Sequence, residues 1–193
     1  TCMERSYLDG CAFNFSVFHK VNAARSSIIS TSFYGAQIRA SNLSGCHALV
    51  GLTSFEGAFV QNTSLKQMVL DNLYCPRASF VRSDMAGLSF ATGQFQSTKF
   101  NLVNLADSKL NFMHGQDTIF INSNLNHAEI KNDHLLKFTI NEKAYGRINI
   151  LESVVRHLEE QNFSFVNEPT QSKRLEMMKA IKNKDQKLIN SLI

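Results

Sequence analysis

The sequence of 193 residues has no tryptophan, only two prolines and no apolar run near the roughly 20 residues that a membrane-crossing helix needs. We therefore predict no membrane span. Cysteine is also scarce, and its positions do not match the spacing of a metal site. We expect these thiols to be reduced, as in the cytosol. They are Cys2, Cys11, Cys46 and Cys75.

Recognisable catalytic motifs are missing as well. The chain has no glycine-rich phosphate loop, no nucleophile elbow and no paired-carboxylate motif. One cluster contains four possible metal ligands that lie close together in the sequence. Their spacing does not match that of a known tetrahedral site. The members of the cluster are His127, Glu129, Asp133 and His134. We predict no metal, no cofactor and no catalytic residue, so that this chain alone is not an enzyme.

The chain lacks a strong excess of either charge. Lys and Arg number 20 against 16 Asp and Glu, a net charge of +4, and residues 1–140 contain eleven basic against nine acidic residues. A duplex mimic needs a strongly negative surface, and a nucleic-acid-binding protein needs a concentrated basic patch. The small, evenly spread surplus predicts that nucleic acid is not a partner.

What the sequence does contain is an apolar residue at every fifth position. One register runs from Leu8 to Leu43; a second runs from Phe55 to Ile140 and is weak only at Gly115. Neither a helix, with period 3.6, nor a strand, with period 2, places every fifth side chain on one side. A five-residue period requires a backbone that turns a corner once per repeat. The chain therefore winds as a coil with each fifth residue inside.

The position two residues before each apolar centre is mostly Ser, Thr, Ala or Cys. A tight coil has little interior room, so large and small side chains must alternate to pack closely. Between them lies an outward residue that is often polar, as in Ser123-Asn124-Leu125. In this pattern residues 4–140 resemble the pentapeptide-repeat family. The resemblance implies a mainly β fold, a right-handed quadrilateral β-helix with four repeats, or about 20 residues, per coil.

If a coil takes about 20 residues, side chains that far apart should stack on one face. We expect two such columns: one of Phe80, Phe100 and Phe120, and one of Leu65, Met85, Leu105 and Leu125.

The two registers differ by two residues, which must lie within or beside residues 46–53. A bulge or short loop at one corner accounts for them, with Gly51 supplying the unusual backbone angle. The alternative is a small loop that reaches out to a partner. Its candidate contact residues are His47, Leu49, Val50 and Leu52.

A second irregularity lies between residues 68 and 115, where large side chains occupy the small-residue position. We expect the coil to be widened or distorted there, with the undersized Cys75 and Gly115 compensating for the large residue two positions earlier. The large residues are Met68, Leu73, Leu88 and Met113.

Beyond about residue 141 the five-residue period stops, and apolar residues recur at helical spacing from Ile150 to Leu158 and again after Leu175. We expect a β-helix domain over residues 1–140. Residues 141–193 should form α-helices that cap its last coil or lead to a following domain. A start without methionine and an apolar last residue favour a piece cut from a longer protein.

Three functions are open on this evidence. The first is a protein–protein interaction module, since the layout is similar to the N-terminal part of bacterial HECT-like ubiquitin ligases, secreted virulence effectors whose catalytic lobe would lie outside this chain. The second is a gyrase-interacting DNA mimic, against which the positive charge argues. The third is a structural spacer. We favour the first, with a protein partner, which is a host protein if the chain belongs to an effector. The expected location is then the bacterial cytoplasm or, for an effector, the host cell.

Overall fold

A computed structural model describes residues 1–115, 117–132, 138–140 and 148–150. The chain there is a parallel β-solenoid whose strands fall into two sheets. The first sheet contains, in spatial order, β1 (Val17–His19), β2 (Gln37–Arg39), β4 (Phe59–Gln61), β6 (Ser79–Val81), β8 (Lys99–Asn101), β10 (Thr118–Ile121) and β12 (Phe138–Ile140). The second contains β3 (His47–Ser54), β5 (Val69–Tyr74), β7 (Ser89–Gln94), β9 (Lys109–His114), β11 (Ala128–Asn132) and β13 (Ile148–Ile150).

Register partners show that one coil takes 20 residues. Val17 pairs with Gln37, and Phe80 pairs with Phe100. The offset becomes 22 only for pairs that span the insertion, such as Gln37 with Phe59. The predicted coil length and the predicted two extra residues are both confirmed. Strand β13 keeps the 20-residue offset from β11.

The interior follows the five-residue period. Every apolar centre from Phe18 to Leu125 is buried. Phe80, Phe100 and Phe120 stack with ring centroids 5.2 and 4.8 Å apart and interplanar angles of 8° and 6°. The predicted phenylalanine column is therefore confirmed, and each ring is enclosed by the ring of the coil above or below.

The buried hydroxyl groups at the small-residue position form hydrogen bonds. Thr31 Oγ1 donates to the carbonyl of Leu8 at 2.7 Å, and Thr118 Oγ1 donates to that of Phe95 at 2.7 Å. In both cases the acceptor lies 23 residues earlier, in the coil below. The small residue thus leaves room for the large centre and also ties two coils together.

Most corners are made by a residue with positive φ two positions after the apolar centre. In the first two coils this holds at all four corners. Outward Asn and Asp side chains support the turns, because Asn104 Oδ1 accepts from the backbone of Ala106 and Asn124 Oδ1 from that of Asn126. The same side chains form a ladder along the rod, in which Asn124 Nδ2 donates to Asn104 and Asn104 Nδ2 donates to Asp84.

The fold is mainly β, and its described part contains no helix. Among these residues there is accordingly no helix of the length and hydrophobicity that a membrane crossing requires. The α-helices expected within residues 141–193 lie outside the described residues, and the domain boundary at residue 140 stays a prediction.

We predict that Phe100→Ala lowers the free energy of unfolding by about 3–5 kcal/mol, because the ring is enclosed by Phe80 and Phe120. Chemical denaturation followed by circular dichroism measures the loss. The control is Lys99→Ala, which changes the exposed neighbour in the same strand. Equal shifts for the two variants would contradict the enclosed position of the ring.

Candidate functional site

The two extra residues form a bulge in β3. Ala48 pairs with Leu70 and Leu52 pairs with Asn72, so four steps along β3 match two steps along β5. Register is restored at once, because Thr53 pairs with Leu73 and Ser54 with Tyr74. The irregularity is therefore confined to residues 49–51 and turns no inward residue outward.

Gly51 makes the bulge possible in two ways. Its φ is +78°, in the left-handed region where a side chain is strained. A Cβ atom at this position would also lie 2.5 Å from Ser30 Oγ of the preceding coil. The predicted role of Gly51 as the residue with the unusual backbone angle is confirmed.

The bulge exposes large apolar side chains. Leu49, Val50 and Leu52 are 65%, 60% and 47% exposed, and the neighbouring Val69 in β5 is 46% exposed. We call these four residues the apolar patch. His47, the remaining predicted contact residue, is half-buried at the start of β3. The structure thus brings the three apolar candidates together on one bulge, and their role in binding stays a prediction.

Beyond the bulge, the same corner of the solenoid changes its geometry. Gly10 and Ser30 occupy this corner in the first two coils with φ of +66° and +52°. Asn72 and Thr92, which occupy it later, do not have positive φ, and β5 and β7 continue across it for six residues each. Leu73 is buried together with Leu70, so the interior is wider here.

Side-chain hydrogen bonds stabilise this altered corner. Asn72 Nδ2 donates to the carbonyl of Gly51 at 3.4 Å, and Thr92 Oγ1 donates to Asn72 Oδ1. One coil further, Asn111 Nδ2 donates to the carbonyl of Ala91. These side chains link the bulge to the coils that follow it.

A groove of about 380 Å³ lies outside the altered corner and crosses strands β3 to β11. We call it the corner groove. Its walls include Leu49, Val69 and Asp71 of β3 and β5 at one end, Ser89 of β7 next, and Lys109 and Glu129 at the other end. The groove was not predicted from the sequence; large residues in small-residue positions, such as Leu73, indicated only that the coil is distorted here.

The other candidate groups do not form a site in the described part of the chain. His127 Nδ1 lies 3.6 Å from Asp107 Oδ1 on the exposed surface. Asp133 and His134 lie outside the described residues, and no cluster able to hold a metal occurs among the residues that are described.

Two cysteines belong to the core. Burial raises the pKa of the Cys46 thiol to about 11, and burial also raises the pKa of Cys75 well above its ordinary value. Cys46 Sγ donates to the carbonyl of Ala23 at 3.0 Å, as a hydroxyl does at equivalent positions. Because a nucleophile needs the thiolate, neither residue is suited to catalysis.

No protein-family model matches the sequence, and no curated protein matches it either. Several solved structures resemble the solenoid. HetL, a pentapeptide repeat protein involved in heterocyst differentiation regulation in the cyanobacterium Nostoc sp., is 8% identical, with 78% of this chain and 84% of HetL covered and a TM-score of 0.31.

Two further structures show comparable likeness. Full-length QnrB1, a plasmid-mediated fluoroquinolone resistance protein, is 13% identical, with 80% of this chain and 95% of QnrB1 covered and a TM-score of 0.31. Rfr23, a pentapeptide repeat protein of the cyanobacterium Cyanothece, is 11% identical, with coverage of 76% and 88% and a TM-score of 0.20. The solenoid assignment itself rests on the 20-residue register of the strands.

We predict that Gly51→Ala destabilises the chain more than Gly57→Ala. Both glycines have positive φ, so both variants should lose about 1–2 kcal/mol of unfolding free energy. Only the Gly51 variant adds a clash, since a Cβ at Gly57 meets no atom within 4 Å. We expect a further loss of about 1 kcal/mol. Adding Ser30→Ala should remove this further loss, and a double variant no more stable than Gly51→Ala would contradict the contact.

The cysteines give a second prediction. At pH 8 only roughly one Cys46 thiol in a thousand is ionised, because its pKa is about 11. Iodoacetamide should therefore alkylate the exposed Cys2 of the folded chain and spare Cys46 and Cys75, as measured by peptide mass spectrometry. Unfolding in denaturant should make both buried thiols reactive. Rapid labelling of Cys75 without denaturant would show that the core opens.

Proposed function

We propose that this chain is a protein-binding module that recognises its partner through the apolar patch. The observation that carries the proposal is the patch itself: four large apolar side chains, each nearly half exposed or more, gathered on one bulge and the next strand. Contiguous apolar surface on a soluble protein marks an interaction site more often than scattered apolar residues do.

The bulge does not need these side chains for its own stability. Gly51 supplies the backbone angle, and Ala48 and Thr53 are the residues that fill the interior on either side. Leu49, Val50 and Leu52 point away from the core, where polar residues would satisfy the fold equally well. Apolar residues at outward positions are therefore better explained by a partner than by folding.

Electrostatics agrees with a protein partner. The outward residues of the described coils carry mixed charges that pair locally, as Lys66 does with Asp84 at 2.9 Å and Arg77 does with Glu56. A surface of this kind lacks the one-sided potential that steers a nucleic acid or imitates one.

The finer part of the proposal concerns the whole protein. We propose that the chain is the partner-binding β-helix of a bacterial effector of the HECT-like ubiquitin ligase type, with a host protein as partner. The layout supports this: a repeat rod is followed by a sequence with helical apolar spacing. Determining the complete gene tests it, and a downstream lobe without a candidate catalytic cysteine would contradict it.

We predict that Val50→Asp weakens partner binding by at least about tenfold, because it places a charge in the apolar patch. The measurement uses the immobilised chain and host-cell extract to identify a specifically retained protein, and then titrates that protein, once purified, by calorimetry. The unfolding free energy should change by no more than about 0.5 kcal/mol, since Val50 is exposed.

Val17→Asp is the matched control. Val17 is 69% exposed in β1, in the other sheet, so the same substitution there should leave binding unchanged. Equal effects of the two variants would contradict recognition through the patch. Relief of quinolone inhibition of gyrase by the purified chain, with no protein retained from extract, would contradict the proposed function.

A further inference from the structure

The corner groove begins at the apolar patch and runs along the rod. Its walls come from β3, β5, β7, β9 and β11, which are consecutive strands of one sheet. At about 4.8 Å per strand spacing, these five strands span roughly 19 Å. An extended polypeptide rises about 3.3 Å per residue, so the groove has room for about six residues.

A segment in this groove would be held by side chains. Most backbone groups of these strands bond to the strands of adjacent coils, as in the pairs Val69 with Ser89 and Ser89 with Lys109. At the register break between β7 and β9, the carbonyl of Ala91 accepts from Asn111 Nδ2. No free sheet edge faces the groove within strands β5 to β9, so an added strand could not be paired there. The side chains of the walls therefore decide which segment fits.

The two ends of the groove differ in chemistry. Leu49 and Val69 make one end apolar. Lys109 and Glu129 are register partners in adjacent strands at the other end, so that end carries one charge of each sign. Asp71 lies beside the apolar end, two residues after Val69 in β5, and is the third charged residue among the groove walls.

The Asp71 carboxylate has acceptor capacity left. One oxygen, Oδ2, accepts from Asn72 Nδ2 at 2.7 Å. A carboxylate offers about four acceptor positions, so a cationic side chain of a partner could bond to the others. An arginine or lysine suits the site further because its aliphatic stem packs on apolar surface while its charged head reaches an acid.

We propose that the corner groove binds an extended segment of a partner protein in which a large apolar residue is followed by lysine or arginine. The apolar side chain packs between Leu49 and Val69, and the basic side chain bonds to Asp71. This inference rests on the proposed protein-binding function and specifies its partner by charge complementarity with the groove.

The test is a cellulose-bound array of hexapeptides probed with the full chain. The peptides vary an apolar residue and its neighbour, with lysine, arginine, glutamate or serine as the neighbour. We expect retention of peptides that have a basic neighbour, and we expect the signal to fall as salt is raised. Asp71→Asn should lower retention of these peptides roughly tenfold, because a charge-assisted hydrogen bond is lost.

Asp107→Asn is the control, since this exposed carboxylate is not among the groove walls and its loss should leave the selection unchanged. Circular dichroism checks that both variants keep the fold. Preference for acidic or uncharged neighbours, or a basic preference that Asp71→Asn leaves intact, would overturn the groove proposal. If Val50→Asp still weakened binding of the partner protein, the proposed function would stand although the groove proposal had failed.

Discussion

Backbone pairing between successive coils is the constraint on which the rest of this structure depends. Each coil shares its hydrogen bonds with the coils above and below, so equivalent residues stay 20 positions apart except across the insertion, where the offset is 22. A single uncorrected extra residue would turn every later inward side chain toward a different face. The two extra residues of β3 are therefore absorbed within the stretch from Ala48 to Leu52, and pairing is regular again at Thr53. Because the packed interior and the paired strands leave no room for two extra residues, the bulge projects into the solvent.

Interior volume is the second constraint, and it acts on each coil separately. The column that contains Phe55 continues as Cys75 and Phe95, while the small-residue position before them changes from Leu73 to Gly93. A large residue at one position thus accompanies a small one at the other. Gly93 shows how tight the exchange is, because a Cβ there would overlap the rings of Phe90 and Phe95. The coil accepts either arrangement as long as the sum of the side-chain volumes is kept.

These constraints explain which features could be predicted from the sequence. The phenylalanine column and the site of the insertion follow from counting residues, because the register allows no other solution. The corner groove does not follow from counting. It depends on the φ angle of Asn72, and asparagine adopts positive φ at another corner of the coil, in Asn62 and Asn122. The presence of asparagine therefore does not predict which of the two corner geometries the backbone adopts. What selects the extended form is tertiary contact: the hydrogen bonds of Asn72 with Gly51 and Thr92, and the buried Leu73 beneath them.

The same reasoning explains why recognition should concentrate at the irregular corner. On the regular faces, outward side chains repeat from coil to coil and satisfy one another, as in the ladder of Asp84, Asn104 and Asn124. Such a face offers a partner few unmet hydrogen bonds, although exposed apolar side chains such as Phe15 and Val17 occur there as well. At the bulge the repeat is interrupted by two extra residues, and Leu49, Val50 and Leu52 are exposed there. The altered corner then extends this surface along the rod as a groove. A solenoid can thus keep a repeating interior for stability, while departures from the repeat in β3 and between β7 and β9 supply the distinctive surface on which the proposed recognition rests.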